Sequence, residues 1–117
     1  MILHLTGQIR GGKNNVIVTR SGRRFPNPVF AKWRDSMMKQ IDKVDCEVFS
    51  TPTRITVQYW HGDLLRRDVD ALLGGIFHLL ERSGIVKDDT LFKEAHWLPM
   101  GLDRKNPRAT VQIEPLG

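Results

Sequence analysis

The sequence predicts an α+β fold, a two-layer α/β sandwich in which two main helices pack on a mixed sheet. Residues 28–44 and 68–83 each place apolar side chains at helical spacing, and shorter stretches alternate or are rich in β-branched residues. The order is strands, helix, strand, helix, strand, strand, which is typical of helices layered on one sheet. At 117 residues, the chain is expected to form a single domain, residues 1–117.

The first third is predicted to form strands at residues 1–6, 16–19 and 23–25. The glycine-rich stretch that follows the first strand breaks it. Ser21-Gly22 is a turn signal between the second and third strands. These two strands would form a hairpin that displays Arg20, Arg23 and Arg24 together.

The first helix is expected to begin at Asn27-Pro28, with Asn at the N-cap and Pro at the first helical position. Five apolar side chains then follow at helical spacing and predict its core-facing side: Phe30, Trp33, Met37, Ile41 and Val44. Beyond this helix, Ile55, Val57 and Tyr59 alternate with polar residues, which is the period of a half-buried strand.

The second half of the chain is predicted to contain one helix and two strands. The helix covers residues 68–83 and ends at Gly84, which is free to adopt the left-handed conformation. Residues 90–98 and 108–113 are expected to be strands. Residues 99–107, rich in Gly, Pro and charge, are expected to form the loop between them.

The net charge of +5 is unevenly distributed. Residues 1–34 hold no acid and seven basic residues: Arg10, Lys13, Arg20, Arg23, Arg24, Lys32 and Arg34. This polarity is expected where a polyanion such as DNA docks. A solvated basic face is the alternative.

Two features limit where the protein works. No apolar run approaches the ~18 residues of a membrane span, and the start lacks the features of a signal peptide. We therefore expect a cytoplasmic protein without a membrane partner. The single cysteine, Cys46, lies between Asp45 and Glu47, whose charges disfavour a thiolate, and it is expected to have no chemical role.

The acidic residues carry the chemical signal. Asp68 and Asp70 stand two residues apart where a connection becomes a helix. One explanation is local, because Asp68 is a good N-cap and Asp70 complements the helix dipole. The second acidic pair, Asp88-Asp89, weakens that explanation.

Asp89 has two ways of meeting Asp68. A helix over residues 68–83 would be ~24 Å long, and six extended residues after it reach ~20 Å. A sharp reversal at Gly84 would therefore return Asp89 towards the start of the helix. Alternatively, Asp89 lies far from Asp68 in its own chain and meets that of a partner subunit. The first arrangement is the simpler.

Three close carboxylates repel one another, and a hard divalent cation relieves the repulsion. Mg²⁺, with Mn²⁺ as an alternative, takes oxygen ligands and substrate phosphate and supports phosphodiester hydrolysis. Asp68, Asp70 and Asp89 are thus the candidate catalytic and metal-binding acids. Arg66 and Arg67 could pair with the phosphate backbone. The four histidines show no zinc-like spacing.

Residues 66–73, Arg-Arg-Asp-Val-Asp-Ala-Leu-Leu, then a helix, then residues 84–89, Gly-Ile-Val-Lys-Asp-Asp, form a composite motif. This motif resembles the RusA family of Holliday junction resolvases, which typically reads R-x-D-x-D-N-x-x-K, a helix, then G-x-x-x-D-D. The close match covers roughly residues 66–97. Asn14-Asn15 and the basic hairpin are similar more loosely.

The resemblance implies a RusA-like homodimer, a metal-dependent endodeoxyribonuclease that resolves four-way DNA junctions. Asp68, Asp70 and Asp89 match the family's catalytic acids, and Asp88 matches the accompanying acid. Together with the basic composition it gives a set of expected DNA-binding residues: Arg66, Arg67, Lys13, Asn14, Arg20, Arg23 and Arg24.

Two positions depart from the family pattern. Ala71 replaces its Asn, and Gly74 replaces its functional Lys. Lys13, Lys87 and Lys93 are alternative sources of that charge. Two other hypotheses remain: a non-catalytic DNA-binding domain of the same fold, and an interaction domain whose acids only cap helices.

Overall fold

The structure, a computed structural model, describes residues 1–11, 16–65 and 67–117. A 3₁₀ turn at Asp89–Leu91 precedes the fifth strand. The described elements are, in chain order, β1 (Ile2–Thr6), β2 (Val16–Val18), β3 (Arg24–Pro26), α1 (Pro28–Asp42), β4 (Thr53–His61), α2 (Val69–Arg82), β5 (Phe92–Leu102) and β6 (Arg108–Pro115).

The main sheet has four strands in the order β1-β6-β4-β5. β6 runs antiparallel to both β1 and β4, whereas β4 and β5 are parallel. A parallel pair needs a crossover connection, and α2 provides it. The mixed sheet with two helices agrees with the α+β architecture that the sequence predicts.

One face of this sheet and both helices share an apolar core. Side chains alternate between buried and more exposed along β4 and β6, as expected for strands with one covered face. Helix α1 contributes Phe30, Trp33, Met37 and Ile41, as predicted. Helix α2 contributes Leu72, Gly75, Ile76, Leu79 and Leu80.

The basic hairpin predicted from the sequence is present as a separate two-stranded sheet. β2 pairs antiparallel with β3, and Gly22 adopts a φ of 81° in the turn that joins them. Arg20, Arg23 and Arg24 are all exposed. The hairpin therefore displays the three arginines that the sequence assigns to it.

Two predictions about element ends are wrong. Val44 is 44% exposed, because α1 ends at Asp42 and no longer directs this side chain inward. Residues 99–102 belong to β5 rather than to a loop. Pro99 is tolerated there because β5 is the edge strand and pairs only with β4. In the part of the chain that the structure describes, no helix combines the length and apolarity needed to cross a membrane.

Candidate functional site

Asp68 lies at the N-cap of α2 but does not cap it. Its backbone is extended, with φ −75° and ψ 132°, and its side chain makes no capping hydrogen bond. Asp70 lies in the first turn, and both residues are exposed. The capping explanation therefore fails for the Asp68 side chain, whereas a dipole contribution from Asp70 fits its position.

The loop that enters α2 is held by a fork between Arg67 and Asp63. The guanidinium of Arg67 donates to both carboxylate oxygens of Asp63, at 2.6 and 3.0 Å. Asp63 also accepts from the backbone N–H of Leu65 at 3.0 Å and from the Gln8 amide at 2.8 Å. The Arg67 guanidinium, followed by these donors, holds the pKa of Asp63 well below its usual range.

This fork bears on the predicted DNA contacts. Arg67 is an expected DNA-binding residue, yet its guanidinium is engaged with Asp63. Its neighbour Arg66 lies outside the described residues, as do Lys13 and Asn14. Arg67 thus has a structural partner that the sequence did not reveal.

Asp88 and Asp89 lie beside the other end of α2. The backbone N–H of Asp89 donates to Glu81 Oε2 at 3.3 Å, which ties the two to the last turn of the helix. Oxygen atoms of Glu81, Asp88 and Asp89 all lie within 4.8 Å of one another. Asp88 accepts from the Thr90 backbone N–H at 2.8 Å, and this contact with Thr90 lowers the pKa of Asp88.

The structure does not bring Asp68, Asp70 and Asp89 together in one chain. Among the described residues, Glu81, Asp88 and Asp89 are the only trio of possible ligands. Gly84 does adopt a left-handed φ of 81°, but the reversal leads into β5, which runs parallel to β4. Because the two strands are parallel, a residue that follows β4 and one that precedes β5 lie at opposite ends of the strands. The simpler of the two predicted arrangements is wrong.

Glu81 is the member of the acidic trio that the sequence analysis missed. It lies in the last turn of α2, eight residues before Asp89. A helix that stops and reverses at glycine brings such residues together, so the Gly84 signal could have indicated it. Exposed acidic groups are common without an ion, so the trio alone does not define a metal centre.

A groove runs along α2 beside this trio. Gly74, His78, Glu81, Arg82 and Asp89 line it. Gly74 stands at the position of the family's lysine, and Arg82 is the only permanently charged cation among these lining residues. Neither Lys87 nor Lys93 lines the groove, and Lys13 lies outside the described residues.

His78 is a half-buried histidine in the wall of this groove. Its Nε2 atom is buried and has no hydrogen-bond partner among the described residues. The ring packs 5.5 Å from the Phe30 ring, centroid to centroid. Burial, followed by the charges of Arg34 and Arg82, lowers the pKa of His78.

The donor chemistry at both ends of α2 fits a hard cation. Asp68, Asp70, Asp88 and Asp89 are exposed carboxylates, the ligand type that Mg²⁺ and Mn²⁺ prefer. Cys46 offers no alternative thiolate, because burial and then Asp45 and Asp42 raise its pKa.

Comparison with known proteins gives no family for this chain. No protein-family model matches the chain, and no curated protein matches it.

Proposed function

We propose that this protein is a metal-dependent endodeoxyribonuclease that cleaves branched DNA, with four-way junctions as the favoured substrate. One observation carries the proposal. A single helix, α2, has an exposed acidic pair at each end, and Asp68 at its start forms no cap. Because the spacing of these two pairs is RusA-like, we assign both pairs to one metal site for phosphodiester hydrolysis.

Asp68 and Asp70 are the proposed core of the site. Aspartate at an N-cap is stabilising mainly when its oxygen accepts from the first turn, and Asp68 does not do so. The Asp68 carboxylate thus makes no capping hydrogen bond to its own helix. An exposed pair of carboxylates two residues apart can hold one Mg²⁺ while leaving room for substrate phosphate.

A second copy of the chain would complete the site. Asp89 is held beside Glu81, eleven residues beyond Asp70 on a helix that rises ~1.5 Å per residue. If two copies of α2 pack antiparallel about a two-fold axis, Asp89 of each chain approaches Asp68 and Asp70 of the other. A closed dimer of this kind also presents two equivalent sites, which suits paired cuts across a junction.

The chain's own residues then divide the work. Asp68 and Asp70, with Asp89 and the accompanying Asp88, would hold the cation, and bound Mg²⁺ supplies Lewis-acid chemistry for hydrolysis. The exposed arginines of the β2–β3 hairpin would hold the DNA backbone by charge. The Asp63–Arg67 fork would keep the loop before Asp68 in place, so that its carboxylate is presented in one position.

The second candidate is a non-catalytic DNA-binding domain of the same fold. Gly74 favours it, because the groove beside Asp89 lacks the lysine of the family pattern. Gly74→Lys separates the two candidates. We expect faster cleavage than wild type if the acids are competent, whereas Gly74→Met, of similar length without charge, should give no gain. Cleavage absent in both wild type and Gly74→Lys favours the binding domain.

The decisive experiment is cleavage of a labelled four-way junction with and without Mg²⁺ or Mn²⁺. Wild type should cut only with metal, and Asp70→Asn should abolish cutting while retaining junction binding. Asp45→Asn is the matched control, since Asp45 is an exposed aspartate in an unrelated loop. Cutting that persists in Asp70→Asn, or that needs no metal, contradicts the proposal.

A further inference from the structure

A second groove, of about 530 Å³, lies between α1 and the loop that follows β1. Gln8 and Arg10 contribute from the loop, and Lys32, Trp33 and Ser36 contribute from the helix. It is separate from the groove beside Asp89, with which it shares no lining residue. The sequence indicates no role for Arg10 or Lys32 beyond the overall basic charge.

The walls of this groove are joined by hydrogen bonds. The indole N–H of Trp33 donates to the backbone carbonyl of Gln8 at 2.7 Å. The Gln40 side chain accepts from the backbone N–H of Thr6 at 2.7 Å and donates to its carbonyl at 2.9 Å. These bonds hold the end of β1 and the loop after it against α1, which fixes the width of the groove.

The loop wall also rests on the helix that carries the candidate acids. An ideal Cβ on Gly75 would lie 2.1 Å from the backbone oxygen of Arg10, so only glycine admits this approach. One on Gly11 would lie 3.2 Å from the Cβ of Ala71, the residue after Asp70. Arg10 is thus carried on a backbone that is fixed relative to Asp70.

The two basic residues of the groove have no ion-pair partner in the part of the chain that the structure describes. Arg10 and Lys32 are exposed, and neither forms an ion pair with any residue that the structure describes. The described residues that line the groove include no acid. Asp35 on the same helix is paired with Arg34 at 3.2 Å. Among the described residues, the groove thus has a cation on its loop wall and another on its helix wall, and neither has an ion-pair partner.

We infer that this groove holds the phosphodiester backbone of one DNA arm, with Arg10 and Lys32 on opposite sides of it. The inference rests on the proposed function only for the identity of the polyanion. Paired cations on fixed walls suit a continuous chain of phosphates, because each cation that neutralises a phosphate releases a counterion condensed on the DNA. The Ser36 hydroxyl adds a neutral donor to the same channel.

The test is the salt dependence of junction binding, measured without divalent metal so that no cleavage occurs. The dissociation constant is measured from 50 to 200 mM salt for wild type, Arg10→Gln, Lys32→Gln and the double variant. Each lost phosphate contact should reduce the slope of log K against log salt by about 0.9. We expect the double variant to lose about 1.8 in slope and to bind more than tenfold more weakly at 50 mM.

Lys43→Gln is the matched control. Lys43 is exposed at the C-cap of α1, eleven residues from Lys32, and does not line the groove. The salt slope of Lys43→Gln should fall by less than half of the reduction found for Arg10→Gln or Lys32→Gln. Circular dichroism and melting curves check that all variants fold.

The outcomes separate this inference from the nuclease proposal. A double variant with wild-type slope and affinity overturns the groove inference, even if wild type cleaves junctions. If the double variant has a reduced slope and wild type never cleaves DNA, the groove inference is supported and the nuclease proposal is contradicted. Failure of wild type to bind DNA at 50 mM salt overturns the groove inference and favours an acidic protein surface as its partner.

Discussion

The two helices begin with nearly the same backbone and use it differently. Asn27 before α1 and Asp68 before α2 are both extended, with φ and ψ of −62° and 119° against −75° and 132°. Each backbone carbonyl accepts from the N–H four residues on, at 2.9 and 3.1 Å. The Asn27 side chain accepts from the Val29 N–H at 3.0 Å, whereas the Asp68 side chain makes no cap.

The comparison shows that a good capping residue at a capping position is not necessarily a cap. Asn27 satisfies a first-turn donor and stabilises α1. Asp68 could do the same with an almost unchanged backbone but leaves its carboxylate exposed. A side chain that forgoes an available local bond is a candidate for another ligand, and this difference separates a structural helix start from a functional one.

Among variants at the two helix starts, the largest effect is expected from Asp68→Asn. Cleavage of a four-way junction should fall by more than about 100-fold, because even groups that only support metal ligands typically contribute 10–100-fold. The free energy of unfolding should change by less than about 0.5 kcal/mol, since an exposed side chain without a cap is replaced. Single-turnover cleavage and urea unfolding measure the two quantities. Unimpaired cleavage would remove Asp68 from the site.

Most of the fold was predictable because its signals are local. Asn27-Pro28 marks the start of α1, and the spacing of Phe30, Trp33 and Met37 predicts the face that the structure buries. The failures occur where tertiary context decides. Val44 continues the apolar spacing past the end of α1, and Pro99 reads as a loop residue although an edge strand accepts it.

The candidate site was predictable only in its parts. The sequence indicates Asp68, Asp70 and Asp89, and chain length permits them to meet. Their separation follows from the parallel pairing of β4 with β5, which is a long-range property that no local pattern encodes. The Asp63–Arg67 fork was missed because the loop geometry sets the partners of Asp63, to which Gln8 from a distant part of the chain also donates.

The second largest effect should come from the middle of α2. Alanine in a helix is normally better than glycine by up to ~1 kcal/mol. Gly75→Ala should nevertheless destabilise the protein by about 1–3 kcal/mol, because its Cβ would force the Arg10 backbone aside. Gly74→Ala is the control, and we expect it to be neutral or stabilising. Equal urea midpoints for both variants would contradict the close backbone approach.

The cap of α1 should contribute a smaller amount. Asn27→Ala removes the hydrogen bond to Val29 and should cost about 1 kcal/mol of unfolding free energy. Asp68→Ala, at the equivalent position of α2, should cost clearly less because no such bond is lost. Urea unfolding of the two variants side by side measures the difference directly. A larger cost for Asp68→Ala would show that this residue caps its helix in solution.

The smallest effect is expected from the Asp63–Arg67 fork, which orders the loop before α2, where the Asp68 side chain forms no cap. Asp63 and Arg67 are 34% and 30% exposed at their side chains, so solvent weakens their pairing. Because the folded pKa of Asp63 is depressed, its contribution to stability is present above its unfolded pKa of about 3.9 and is lost as pH falls below that. The stability difference between wild type and Asp63→Asn should therefore be constant above about pH 5 and shrink towards pH 3. The difference between wild type and Asn27→Ala should not change with pH, since an amide does not titrate. If acid leaves the Asp63 difference unchanged, neither the fork with Arg67 nor the hydrogen bonds from Gln8 and Leu65 hold the Asp63 carboxylate in solution.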